Sequence, residues 1–248
     1  MKNTMKLRPS TKLSIFGAVA LAAAFQVHAQ NAAVTVDPAQ IVNGYMSWSP
    51  AAGDATGYGG SGGGSWGFAD LQASFSGSTL TLNPNINTYD NNLTTGPSGG
   101  PNPYWINADG SGANIMDASS YADASAASLG VAGGNLTFTY DVLANNLTTG
   151  YTADAWIKVF DQSYAFLGES ATVPLTVGAG SVSFAIPNVG TDRVQYGFEL
   201  IGPNAAGGSA AALTSVSITP QAVPEPSTLA LAGMGGMGLL SLLRRRKK

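Results

Sequence analysis

The chain of 248 residues has no cysteine and a single histidine, His28. The first absence excludes disulfides, thiolate metal sites and thiol nucleophiles. Charge is scarce as well: 10% of the residues are Asp, Glu, Lys or Arg, and the 11 cations are crowded at the ends. Lys2, Lys6, Arg8 and Lys12 lie in the first twelve residues and five more occupy 244–248, so Lys158 and Arg193 are the only cations between residues 30 and 222. That middle segment holds 13 of the 14 acids and carries a formal charge of −11, which the whole-chain value of −3 conceals. With two cations it has no means of neutralising phosphates, which argues against nucleic acid and anionic membrane surfaces as partners.

What is present at the N-terminal end is a basic stretch followed by an apolar run, Leu13 to Phe25, and the small-residue pattern Val27-His28-Ala29. This order is that of a secretory signal peptide handled by the general secretion machinery, with cleavage expected between Ala29 and Gln30. The apolar run is shorter than the roughly 20 residues a membrane span needs. Cleavage would take His28 with it. The remaining chain, with neither His nor Cys, is then barred from Ser-His-Asp and Cys-His catalysis and from His-ligated zinc, leaving carboxylate chemistry and oxygen-ligated calcium.

Between residues 30 and 222 apolar residues recur at every second position. Leu136, Phe138, Tyr140 and Val142 form one such row, and Val194, Tyr196, Phe198 and Leu200 another; Ala153, Ala155, Ile157 and Val159 form a third, with Trp156, Lys158 and Phe160 on its opposite face. Alternation of this kind marks half-buried strands, and no stretch offers the 10- to 15-residue helical pattern that parallel βαβ units require. The expectation is one all-β domain over 30–222, a jelly-roll-type β-sandwich of about eight to ten strands. A cleaved signal helix precedes it and a transmembrane helix follows it. Two stretches read as irregular: 53–67, with eight glycines in fifteen positions, and 83–114, with four prolines among many Asn and Gly. The hexapeptide Asn-Asn-Leu-Thr-Thr-Gly occurs at 91–96 and again at 145–150, either as a duplicated hairpin or as shared turn chemistry.

At the C-terminal end Pro224-Glu225-Pro226 precedes an apolar, Gly-rich stretch from Thr228 to Leu243 and the cluster Arg244-Arg245-Arg246-Lys247-Lys248. Four glycines in that stretch disfavour a water-soluble helix, and the terminal cations hold their end in the cytoplasm. This three-part order over 223–248 resembles the PEP-CTERM sorting signal of Gram-negative bacteria. The resemblance implies export, transient anchoring in the inner membrane, and recognition near Pro224, Glu225 and Pro226 by an exosortase-type membrane transpeptidase. It also implies association with the cell surface and exopolysaccharide.

For the exported segment the expected role is noncovalent, carbohydrate binding or matrix structure, because sugar C–H faces pack on aromatic rings while Asn, Asp and Gln satisfy hydroxyls. The candidate ligand residues are Tyr104, Trp105, Trp156 and Tyr164; for Tyr104-Trp105, in the Pro-rich excursion, a plug over an open end of the sandwich is the competing reading. The stretches Tyr104 to Ala122, Ala155 to Lys158 and Val194 to Phe198 are similar to jelly-roll carbohydrate-binding modules. Catalytic residues and a resident cofactor are not expected. Calcium is the one candidate ion, through Asp109, Ser111, Asn114 and Asp117, whose spacing does not fit an EF-hand. The alternative function is a carboxylate-dependent glycosidase or lyase drawing on Glu169, Glu199, Asp154 or Asp161, with Glu199 expected to be exposed.

Overall fold

A computed structural model describes residues 30–50 and 61–221. Ala29 and the signal segment, and Pro224, Glu225 and Pro226 with the apolar tail, lie outside the described residues. Thirteen strands are described: β1 (Ala32–Thr35), β2 (Asn43–Pro50), β3 (Gly62–Ser65), β4 (Ala73–Ser76), β5 (Thr79–Leu82), β6 (Asn114–Ser125), β7 (Asn135–Asn145), β8 (Thr152–Phe160), β9 (Phe166–Glu169), β10 (Val173–Pro174), β11 (Gly178–Ala185), β12 (Arg193–Pro203) and β13 (Val216–Thr219). The only α-helix among the described residues is one turn, α1 (Asn87–Asp90).

The strands form two sheets. In the first, β7 is flanked on one side by β11 and on the other by β1 and β13, which share its length. β1 runs parallel to the first half of β7, with Ala32 opposite Leu136, and β13 runs antiparallel to the second half; β5 and β4 continue beyond β13. The second sheet runs β8, β12, β6, β2, β3, with the short β9 and β10 sharing the free edge of β8. Successive long strands change sheets: β6 in the second, β7 in the first, β8 in the second, β11 in the first, β12 in the second. This crossing makes the architecture a β-sandwich of jelly-roll type. The count exceeds eight to ten because short segments of four residues or fewer, such as β1, β3, β9 and β10, add to the long strands.

The alternating rows read from the sequence are the two inner faces. Leu136, Phe138, Tyr140 and Val142 from β7 meet Val194, Tyr196, Phe198 and Leu200 from β12, and all eight are buried. Phe138 lies 5.2 Å from the Tyr196 ring and 5.1 Å from the Phe198 ring, centroid to centroid, and Tyr140 meets Phe198 edge-on at 5.3 Å. Burying each such ring stabilises the fold by roughly 1.5–3 kcal/mol, so this cross-sheet cluster is the main anchor of the sandwich.

Part of the glycine-rich stretch is ordered as β3, where glycine is needed for space. A Cβ on Gly62 would run into the Trp48 ring, and one on Gly63 would meet the Tyr45 hydroxyl. Residues 68–72 form a turn that leads into β4. The two hexapeptides sit in different settings: 91–96 follows α1, and 145–150 follows β7, so turn chemistry is what they share.

Candidate functional site

Because side chains alternate along a strand, the residues between the core positions of the second sheet all point to its outer face. Asp154, Trp156, Lys158 and Phe160 come from β8, Arg193, Gln195, Gly197 and Glu199 from β12, Asp117, Ser119, Tyr121 and Asp123 from β6, and Asn43 and Tyr45 from β2. They form a groove of about 670 Å³ lined by Asn43, Tyr45, Ser65, Ser119, Tyr121, Asp123, Trp156, Lys158, Phe160, Tyr164 and Gln195. Its floor depends on Gly197. This residue lies between Tyr121 and Trp156 in the strand register, and their rings approach to 5.8 Å over the gap that its missing side chain leaves.

One wall is held by Asp123. Its carboxylate accepts from Arg193 Nε at 2.8 Å, from Gln195 Nε2 at 3.1 Å and from the Tyr164 hydroxyl at 3.1 Å. Arg193 also pairs with it through a second guanidinium nitrogen at 2.6 Å and lies 5.8 Å from the Tyr164 ring. Tyr164 stands on the β8–β9 turn with φ of 63°, one of two non-glycine residues with positive φ among the described residues. That conformation is costly for a side chain and persists only where the surroundings enforce it. Here Asp123 and Phe160, whose ring lies 6.3 Å away, supply the enforcement, and Tyr164 is held 54% exposed beside the groove.

The other end carries a charge cluster. Lys158 Nζ lies 4.2 Å from the centre of the Trp156 ring and 3.5 Å from Glu199 Oε2. Contrary to the sequence expectation, Glu199 is buried, at 6% exposure, because the neighbouring strands β6 and β8 cover both sides of β12. Burial raises its pKa above the ordinary value; Lys158 opposes the shift, and the nearby Asp117 and Asp154 add to it. Asp117 is raised by burial as well, against the pull of Lys158 and hydrogen bonds from Ser47 and Ser119, and burial raises Asp154. Burial, then the charge of Asp123, raises Tyr121.

Of the residues singled out in the sequence, the fold brings Trp156 and Tyr164 into this groove and places Tyr104 and Trp105 elsewhere. Trp156 is 1% exposed and supplies ring surface from within the wall. Trp48 Nε1 donates to the Tyr104 hydroxyl at 2.7 Å; the Trp105 ring lies 4.8 Å from Tyr104 and 5.7 Å from Trp48, and it packs against the core. That cluster covers the edge of the sandwich near β3.

The acids proposed for calcium are dispersed. Asp109 caps its own turn, accepting from Ser111 N and Oγ, which lowers its pKa, while Asn114 and Asp117 belong to β6. Among the described residues no three His, Cys, Asp or Glu side chains gather as metal ligands.

Sequence reasoning did not single out Asp123, Gln195, Lys158 or Tyr45 as groove residues. A signal for two sides of the site was nonetheless present: the only two cations of the middle segment, Lys158 and Arg193, both fold onto this face.

No curated protein matches the chain. Among solved structures, a chain from a study of the promiscuous specificity of carbohydrate-binding modules of the beta-sandwich superfamily is similar at 10% identity and a TM-score of 0.29, over 75% of this chain and 86% of that one. Among the described residues no helix is long and apolar enough to cross a membrane. Residues 222–247 match the family model of the PEP-CTERM protein-sorting motif, and the chain therefore carries a PEP-CTERM sorting tail, a signal for export with a membrane-anchoring C-terminal segment.

Proposed function

We propose that the chain is a surface or matrix protein of a Gram-negative bacterium whose 30–222 domain binds carbohydrate noncovalently, within exopolysaccharide, after processing of its tail by an exosortase-type transpeptidase. One observation carries the binding reading: the outer-face groove interleaves five aromatic rings, Tyr45, Tyr121, Trp156, Phe160 and Tyr164, with Asn43, Lys158 and Gln195. Rings at the wall and a few convergent polar groups are what a pyranose needs, apolar faces stacked and hydroxyls paired.

Free bonding capacity supports the same reading. Among the described residues Gln195 spends its amide nitrogen on Asp123 and keeps its oxygen, Asn43 does the same toward the Tyr121 carbonyl, and Lys158 gives one hydrogen bond of the three it can donate. The groove carboxylate, Asp123, is saturated by its donors, and Glu199 is paired with Lys158 below the surface. A glycosidase needs two carboxylates free to face the substrate, so the geometry favours binding without chemistry.

Retardation of the purified protein in gels containing different polysaccharides tests this. Retardation by at least one glycan, abolished in Tyr164→Ala while the variant still unfolds cooperatively, is the expected result. No retardation across a broad panel removes the binding reading, and new reducing ends on incubation would install the hydrolase in its place. Mass spectrometry of the mature protein tests the sorting reading, which requires loss of everything before Gln30 and loss of the tail near Pro226; an intact C-terminus on a released product contradicts it.

A further inference from the structure

A second depression of about 460 Å³ adjoins the groove on its β3 side, and Ser65 lines both. Ser65 is the only side chain that β3 carries, its other three residues being glycine, and the strand raises no bulky barrier between the two. The second depression presents Trp66 and Trp105, both packed against the core and so held in place, beside the exposed Asp70 and Asn91. Among the described residues the side chains of Asp70 and Asn91 form no hydrogen bond and are open to a ligand hydroxyl. Aromatic rings beside polar side chains with spare hydrogen-bonding capacity thus occur twice, on either side of one small residue.

From this adjacency we infer that the groove and the depression form a single track for a linear polysaccharide, which is engaged along its length and not at a chain end. The inference rests on the carbohydrate reading above. A chain lying across Ser65 joins two modest contact patches without a second loss of translational freedom, so affinity grows with the number of sugar units until both patches are filled.

The test is calorimetry of the full chain with cellobiose and cellohexaose, and with laminaribiose and laminarihexaose. In at least one series the hexasaccharide should bind about tenfold or more tightly than the disaccharide. The exposed double variant Asp70→Ala/Asn91→Ala, confined to the second depression, should bring the hexasaccharide down to about the disaccharide level, and Ser65→Arg, where the two depressions meet, should abolish the hexasaccharide advantage. Equal binding of the two lengths, or a hexasaccharide advantage that survives both variants, overturns the track and leaves the groove as a short site. Binding by neither length in either series overturns the track, and it overturns the carbohydrate reading as well where the broad glycan panel also gives no retardation.

Discussion

The Tyr164 hydroxyl donates to Asp123 Oδ2 at 3.1 Å across 41 residues of sequence, and this bond ties a turn in a left-handed conformation to the central strands of the second sheet. The same carboxylate pairs with Arg193 and accepts from Gln195, so a single acid on β6 orders side chains from β12 and from the β8–β9 turn.

Replacing it should therefore do more than remove a charge. In Asp123→Ala three donors lose their acceptor at once, and the fold is expected to lose about 2 kcal/mol in urea unfolding. Tyr164 should also leave its place, and glycan retardation should fall to the level of Tyr164→Ala. A variant with unchanged stability would show that Asp123 does not organise the wall.

The gap at Gly197 should be equally unforgiving. A Cβ there would collide with the Ser120 carbonyl oxygen and with Tyr121, so Gly197→Ala is expected to cost between about 1 and 3 kcal/mol and to weaken binding through displacement of the Tyr121 and Trp156 rings. Wild-type melting behaviour in this variant would contradict the close approach of the central strands.

Acidity should stabilise this protein over a defined window. Burial raises Glu199 above its ordinary 4.5 and Asp117 above its ordinary 3.8, so each binds its proton more tightly folded than unfolded. Their favourable contribution is complete below those ordinary values and is lost as pH rises through the higher folded values. The melting temperature is expected to be higher near pH 4.5 than at pH 7, with a shallower dependence in Asp117→Asn. A melting temperature that falls steadily from pH 7 to pH 4.5 would refute the assignment.

In the core, the Tyr140 hydroxyl is buried with no hydrogen-bond partner among the described residues, and burial pushes its pKa up to about 12. An unpaired buried hydroxyl costs more than it returns, so Tyr140→Phe should raise stability by about 1 kcal/mol while keeping the ring contacts with Phe138 and Phe198. A loss of stability would mean that the hydroxyl has a partner in solution.

The strands of the sandwich were legible because period-2 alternation is local: the row from Leu136 to Val142 needs only its own residues to declare which face is buried. The edges were less legible. β3 is ordered by the Trp48 and Tyr45 rings that lie against its glycines, and a Gly-rich run read alone gives no sign of such neighbours. Glu199 looked exposed because alternation places it opposite the core row. It is buried because β12 lies in the middle of its sheet, with the outer side chains of β6 and β8 crowding both its sides.

Composition and local pattern alone determined that this is an all-β chain with a sorting tail, whose residues 30–222 hold two cations and neither cysteine nor histidine. Only the tertiary structure decided which aromatic residues lie together. Trp156 and Tyr164 share a groove, while Tyr104 and Trp105 close an edge, and nothing in their local sequence separates the two pairs. Membership of a site is set by strand register, which places Tyr121, Trp156 and Gly197 side by side from three strands. Register is a property of pairing between distant segments, so it appears only when the sheets assemble.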